Sequence, residues 1–154
     1  MSALRVFVQR LDPAAILPKY ATAGAACFDL HALLDWHADD PDKPLILSPG
    51  SSVAVRTGLA FQIPAGHVMH VFSRSGHGFR AGVRLVNAVG VIDSDYRGEV
   101  QVGLHNDSRK RFQVKHGERI AQAMVLPIPA VELFELGALD ETARGTGGFG
   151  STGA

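Results

Sequence analysis

Ser52-Val-Ala-Val-Arg-Thr-Gly-Leu-Ala-Phe-Gln-Ile63 is the stretch that decides the fold class. Val53, Val55, Thr57, Leu59, Phe61 and Ile63 fall on one side of an extended chain, and Ser52, Ala54, Arg56, Gly58, Ala60 and Gln62 on the other. Successive side chains leave a strand in opposite directions, so a period of two lets one face be buried while the other meets water. The same alternation returns in 99–105, where Val100, Val102 and Leu104 alternate with Glu99, Gln101, Gly103 and His105, and around Phe112 and Val114 in 111–115. Further strands are predicted over 4–9, 26–33, 44–47, 67–73, 83–86, 118–126 and 130–135. Turns such as Ser48-Pro49-Gly50 and Pro64-Ala65-Gly66 cut them apart. No segment sustains a 3.6-residue apolar stripe, so a turn or two of helix is the most expected. The pattern predicts an all-β fold with little helix: an antiparallel sandwich, barrel or jelly roll.

The chain has 154 residues, enough for one ordinary domain and too few for two. A hydrophobic share of 46% is too high for a disordered chain, and no apolar run reaches the ~20 residues of a membrane span. Fifteen basic residues balance fifteen acidic ones, which argues against a nucleic-acid or membrane-surface binder, whose affinity rests on a basic face. The single cysteine, Cys27, excludes an intrachain disulfide framework. Arg5, Gln9 and Arg10 break the first apolar stretch, so no leader is read there and a cytoplasmic protein is expected. From Arg144 onward the chain turns glycine-rich, with Phe149 its sole large apolar residue. Residues 1–143 therefore read as one β domain and 144–154 as a segment that orders only against something else.

Three segments carry chemistry. In Asn87-Ala-Val-Gly-Val-Ile-Asp-Ser-Asp-Tyr-Arg-Gly98, an amide (Asn87), a carboxylate (Asp93) and a phenol (Tyr96) stand close together. The plain reading is a long hairpin with solvated acids; the functional one is a slot for a flat heterocycle, built of main-chain donors and acceptors plus one ring. In Ser73-Arg74-Ser75-Gly76, a guanidinium offers paired donors and a glycine lets backbone amides approach, which suits phosphate oxygens as well as it suits an ordinary turn. In the tail, Arg144, Thr146, Ser151, Thr152 and many free amides suit an anion, with Phe149 available to stack on a ring.

Other features weigh less. Residues 145–150 match GxGxxG, but that fingerprint must follow a strand and open a helix inside a βαβ unit. His67 and His70, three apart in a strand, face opposite ways, and the other histidines lack paired ligand spacing. Cys27 has no electropositive neighbour in sequence to activate it. Asp29 alternates with Phe28 and Leu30 as a strand-face carboxylate, and Gln122, in an apolar strand, requires an internal hydrogen-bond partner.

Together these pieces resemble the homotrimeric deoxyuridine triphosphate nucleotidohydrolases, the dUTPases, whose five short motifs occur here in order. Ala23–Leu30 is similar to the first, Ser73–Gly76 to the second, Asn87–Gly98 to the third, Gly117–Gln122 to the fourth and Arg144–Gly153 to the fifth. The resemblance implies hydrolysis of dUTP to dUMP and pyrophosphate, limiting uracil in DNA and supplying dUMP, in trimeric sites shared between subunits. It implies that Asp93 is the general base; that Asn87, Gly90, Val91, Ile92 and Gln101 form the uracil slot; and that Tyr96 lies under the deoxyribose. It implies triphosphate contacts from Arg74, Ser75 and Gly76 with Gln122 beside them, and a closing flap carrying Arg144, Phe149, Gly150, Ser151 and Thr152. Mg²⁺ is expected chiefly on the substrate phosphates, with Asp29 near its waters. Ser73 and Val89 stand where such proteins often have proline, and His77 where they commonly have an apolar residue. The rivals are a dCTP deaminase of the same fold, which carries a catalytic glutamate in the hairpin, a non-catalytic nucleotide-responsive regulator, and a jelly-roll structural protein.

Overall fold

The computed structural model describes residues 3–36, 38–149 and 151. They form β1 (Phe7–Arg10), β2 (Phe28–His31), β3 (Leu45–Leu47), β4 (Ser52–Arg56), β5 (Leu59–Gln62), β6 (His67–Ser73), α1 (Ser75–Ala81), β7 (Val83–Leu85), β8 (Val89–Ile92), β9 (Gln101–Asn106), β10 (Phe112–Val114) and β11 (Arg119–Pro127). Every strand pair is antiparallel. The largest sheet runs β2-β11-β6-β8, a second runs β4-β9-β7, and β1-β5 and β10-β3 are two-stranded. The architecture is all-β and jelly-roll-like, with a single seven-residue helix among the described residues.

The alternating side chains meet between the sheets. Leu30, Leu59, Met69, Val83, Leu85, Leu104, Val114 and Ile120 are fully buried in one continuous core, each such side chain stabilising the fold by about 1.5–3 kcal/mol.

The deciding stretch keeps its phase but not its sheet. Residues 52–63 are two strands, not one: β4 pairs with β9, and β5 pairs with β1. The break is at Thr57-Gly58. Gly58 has φ +67, and a Cβ there would meet Leu33 Cδ2 at 2.7 Å and Ala15 Cβ at 2.8 Å. Glycine thus allows both the left-handed backbone and the close approach, while Thr57 Oγ1 donates to the Val100 carbonyl at 2.6 Å.

Two other expectations are corrected. Residues 130–135 form no strand: β11 ends at Pro127, the Ile128 amide still donates to the Gly66 carbonyl, and beyond it Val131, Leu133, Phe134, Leu136 and Leu139 are exposed. Pro127 and Pro129 lack the N–H groups that would carry a ladder onward. Nor is 87–98 a ladder hairpin, because β8 pairs with β6 while β9 pairs with β4 and β7. The polar string is a corner passing from one sheet to another.

Candidate active site

The first cleft sits at one edge of the large sheet. Gln122 of β11 lies directly between Asp29 of β2 and Phe72 of β6. The chain leaves β6 at Ser73, keeps Arg74 extended as the N-cap of α1, and closes the helix at Gly82, φ +65. A cavity of about 450 Å³ is lined here by Asp29, Arg74, Ser75, Gly76, Arg119 and Gln122 among others. Asp29 accepts from Arg119 Nη1 at 3.2 Å and faces Arg74 Nε at 3.8 Å. Arg74 Nη1 donates to the Arg119 carbonyl at 2.9 Å. Gln122 finds its partner in the Ser73 carbonyl, 3.2 Å from Nε2. Ser73 takes the place of a stiffening proline by another route, its hydroxyl accepting from the Leu85 amide at 2.8 Å. Two guanidiniums against one carboxylate leave net positive charge facing the cavity, suited to phosphate oxygens. No local pattern marks Arg119 in the sequence, because a bulge between Arg119 and Ala121 breaks the alternation that assigns a side.

The second cleft, about 480 Å³, is lined by Val91, Ile92, Asp93, Tyr96, Glu99, Val100 and Gln101. It gathers the end of β8, the corner and the start of β9. Tyr96 folds back so that its hydroxyl donates to the Glu99 carbonyl at 3.0 Å. Gly98 makes room for it, since a Cβ there would lie 2.4 Å from the phenol oxygen. Glu99 is itself anchored: its carboxylate accepts from the Gly58 amide at 2.7 Å and from Arg56 Nε at 3.1 Å, and Arg56 also pairs with Asp35. Glu99 thus braces the corner, a role invisible in sequence because Arg56 and Gly58 belong to a distant strand break. Asp93 is exposed, and its carboxylate has no hydrogen bond or ion pair among the described residues. Asn87 does not line this cleft. It precedes it in a tight turn where the Val89 amide donates to the Asn87 carbonyl at 2.6 Å and Ala88 takes φ +59. Gly90 is required by closeness, a Cβ there lying 3.0 Å from Val71 Cβ.

The two clefts do not adjoin in one copy. Ile92 pairs with Met69, near the start of β6, whereas Arg74 follows the end of that strand. Five residues of strand separate the two levels, about 17 Å. Among the described residues, none of the tail lines either cleft: Arg144 Nε donates to the Gly147 carbonyl at 2.8 Å, closing a turn on itself, and Phe149 is fully exposed. Ser151 is exposed, while Gly150 and Thr152 lie outside the described residues.

Cys27 and the Ser52, His105 and Asp107 cluster are structural in character. Burial, and secondarily Asp29, push the Cys27 thiol up, away from a reactive thiolate. Ser52 Oγ lies 2.8 Å from His105 Nδ1, and His105 Nε2 lies 3.1 Å from Asp107, an order that resembles a catalytic triad. Ser52, His105 and Arg84 are instead register partners across β4, β9 and β7, and Arg84 already holds Asp107 at 2.6 Å. Among the described residues no three His, Cys, Asp or Glu side chains converge on a metal position.

His31 and His77 each bury an Nδ1 with no hydrogen-bond partner among the described residues. Burial first, with Arg74 and Arg119 assisting at His31 and Arg74 at His77, lowers both below the usual imidazole range against the opposing carboxylates Asp29 and Glu118. The unfolded chain takes these protons at about pH 6.5, so below that pH it binds more protons than the folded one, and stability falls with pH until the folded values are passed. The thermal midpoint is expected to drop steadily from pH 7 to pH 5, and less so in a His31→Gln, His77→Gln double variant. Equal drops in the two proteins would contradict the assignment.

A family model for dUTPase matches residues 14–153. The deoxyuridine 5'-triphosphate nucleotidohydrolase of Desulfitobacterium hafniense is 48% identical over 97% of this chain and 95% of its own. That of Nautilia profundicola is 42% identical over 97% and 99%. Among solved structures, the dUTPase of Staphylococcus bacteriophage 80alpha with dUPNHPP superposes with a TM-score of 0.79 at 25% identity, covering 97% of this chain and 99% of that one. A dUTPase mutant from phage phi11 of S. aureus, described with the coordination of a structural Mg(II) ion, has a TM-score of 0.76 at 20% identity over 89% and 99%. No helix among the described residues is long and apolar enough to cross a membrane. With the family model spanning nearly the whole sequence and relatives 42% and 48% identical along 97% of it, this chain belongs to the dUTPase family.

Proposed function

We propose that the chain is a dUTP diphosphatase that converts dUTP and water to dUMP and pyrophosphate. The observation that carries the reading is the cleft at the sheet corner, where Val91, Ile92 and Gln101 offer main-chain edges beside one free carboxylate and one braced ring. Uracil's edge fits fixed main-chain donors and acceptors, whereas cytosine exchanges one donor for an acceptor. Leaving buried groups unpaired costs roughly 10⁴-fold or more in discrimination. Asn87 and Gly90 shape the approach to this edge.

Asp93 takes a proton from the water that attacks the α-phosphorus in line, and pyrophosphate departs. A carboxylate base supplies about 10²–10⁴ of the rate; the rest comes from positioning and from charge stabilisation by Arg74, Ser75, Gly76 and Gln122. No phosphorus lies within reach of both Asp93 and Arg74 of one copy, given the length of β6 between them. We infer that the Asp93 cleft of one copy meets the Arg74 cleft of another, in a homotrimer. The exposed apolar arm with Leu133, Phe134 and Leu136 supports association, because such a run is stable when covered. The segment 144–154 acts as the flap: Arg144 moves from its own turn onto the phosphates, Phe149 stacks over the base, and Gly150, Ser151 and Thr152 close behind it.

The donor set fits magnesium as a companion of the substrate. Asp29 is the one carboxylate of the phosphate cleft and already faces two arginines, so it would hold the ion through water while the phosphates supply the direct ligands. When bound, Mg²⁺ spreads the charge of the triphosphate oxygens.

Tyr96 excludes a 2′-hydroxyl only while Gly98 leaves space for its ring. Gly98→Ala is expected to swing the ring aside and narrow the dUTP-over-UTP preference by about tenfold or more; kcat/KM for the two nucleotides checks this, and an unchanged ratio removes Tyr96 from the role. The function is tested by pyrophosphate release from dUTP, dCTP, dTTP, dATP and UTP in magnesium buffer. Release from dUTP alone supports it. Ammonia release from dCTP would favour a deaminase, and binding of dUTP without turnover a nucleotide-responsive regulator.

A further inference from the structure

Arg74 of the phosphate cleft has a contact that no motif accounts for. His77 sits one turn into α1, buried, its ring edge-on to Phe112 with centroids 5.1 Å apart. Its Nε2 faces two groups of opposite character: Arg74 Nη1 at 3.3 Å and Glu118 Oε1 at 3.5 Å. A guanidinium only donates and a carboxylate only accepts, so the state of Nε2 decides which contact is made. With a bare lone pair Nε2 accepts from Arg74. With a proton it turns to Glu118, and an N–H then opposes an N–H of Arg74. The same guanidinium nitrogen donates to the Arg119 carbonyl at 2.9 Å, and its Nε faces Asp29. His77 is thus a backstop fixing the direction in which Arg74 leaves the N-cap.

We propose that His77 is a positioning residue for Arg74, aiming the guanidinium into the phosphate cleft through Nε2, and that protonation of the ring releases Arg74 and transfers the contact to Glu118. The proposal rests on the reading that Arg74 contacts the triphosphate. Among the described residues, the charged groups facing the ring are Arg74 from its own helix cap and Glu118 from the turn before β11, and from β10 its ring meets Phe112. Glu118 is held in place by the Lys115 amide, which donates to its Oε2 at 3.0 Å. Burial and Arg74 keep the ring neutral near pH 7, and of its two neutral tautomers the aimed form is the one that carries its proton on Nδ1 and leaves Nε2 bare for Arg74.

The test measures kcat and KM for dUTP between pH 5 and 8 in the wild type, His77→Leu, His77→Gln and Arg74→Ala. One hydrogen bond to a charged group is lost in His77→Leu, and KM is expected to rise about tenfold with a smaller fall in kcat, since Arg74 holds the triphosphate in the ground state and also stabilises its charge in the transition state. His77→Gln keeps an acceptor that does not titrate. It should recover most of the wild-type KM and hold it flat on the acid side, where the wild-type KM climbs. Wild-type KM and an unaltered pH profile in both His77 variants, with Arg74→Ala raising KM, would overturn the proposal alone. An Arg74→Ala enzyme with unchanged KM would instead overturn the reading of Arg74. If His77→Leu unfolds, the Gln variant decides by its acid-side profile.

Discussion

Replacing Asp93 by Asn is expected to leave dUTP bound and to lower kcat by about 10²–10⁴-fold. The amide matches the carboxylate in size and still orients a water by hydrogen bonding, but it accepts no proton. Asp93 is the residue for which this substitution is cleanest. Its carboxylate is exposed and makes no ion pair or hydrogen bond among the described residues, so the fold loses nothing, and the change in stability should stay within about 0.5 kcal/mol. The measurement pairs single-turnover kinetics with dUTP binding and thermal unfolding. A variant with wild-type kcat would remove Asp93 from proton transfer. One that neither binds nor folds would make it structural.

A chain ending at Thr142 should fold and assemble as the full one does, yet lose about 10²–10³-fold in kcat, the scale of one positioned charge-stabilising donor. Folding survives because, among the described residues, the segment's hydrogen bonds are its own: the Gly145 amide donates to the Thr142 carbonyl and Arg144 Nε to the Gly147 carbonyl, with no ladder to the sheets. Activity does not survive, because Arg144 and Phe149 are then missing from closure. The check is kcat beside the sedimentation coefficient and thermal midpoint of both chains. Full turnover in the shortened chain would refute the flap.

The strands were legible where one face is buried and the other wet. The pattern at 67–73 matches the strand His67–Ser73 residue for residue, and the alternation over 111–115 brackets Phe112–Val114 with one residue to spare at each end. What sequence could not convey is which sheet a strand joins. Period two runs unbroken through Thr57 and Gly58, although the chain changes partner there, and only the space beside Leu33 and Ala15 shows why glycine is needed. Val131 and Leu133 imitate a strand because apolar residues alternate, but no described strand lies beside them to complete a ladder. The site divides along the same line. Motifs local in sequence, such as Val91–Tyr96 and Arg74–Gly76, were readable as units. Arg119 beside Asp29, Glu99 under Tyr96 and Glu118 against His77 depend on long-range register and a bulge, which no local pattern encodes.

Turnover in H₂¹⁸O, followed by mass analysis of both products, tests the central chemistry most directly. Attack by an Asp93-activated water on the α-phosphorus predicts one ¹⁸O in dUMP and none in pyrophosphate. Label in pyrophosphate, or intact dUTP with a folded, assembled protein in magnesium buffer, would contradict it.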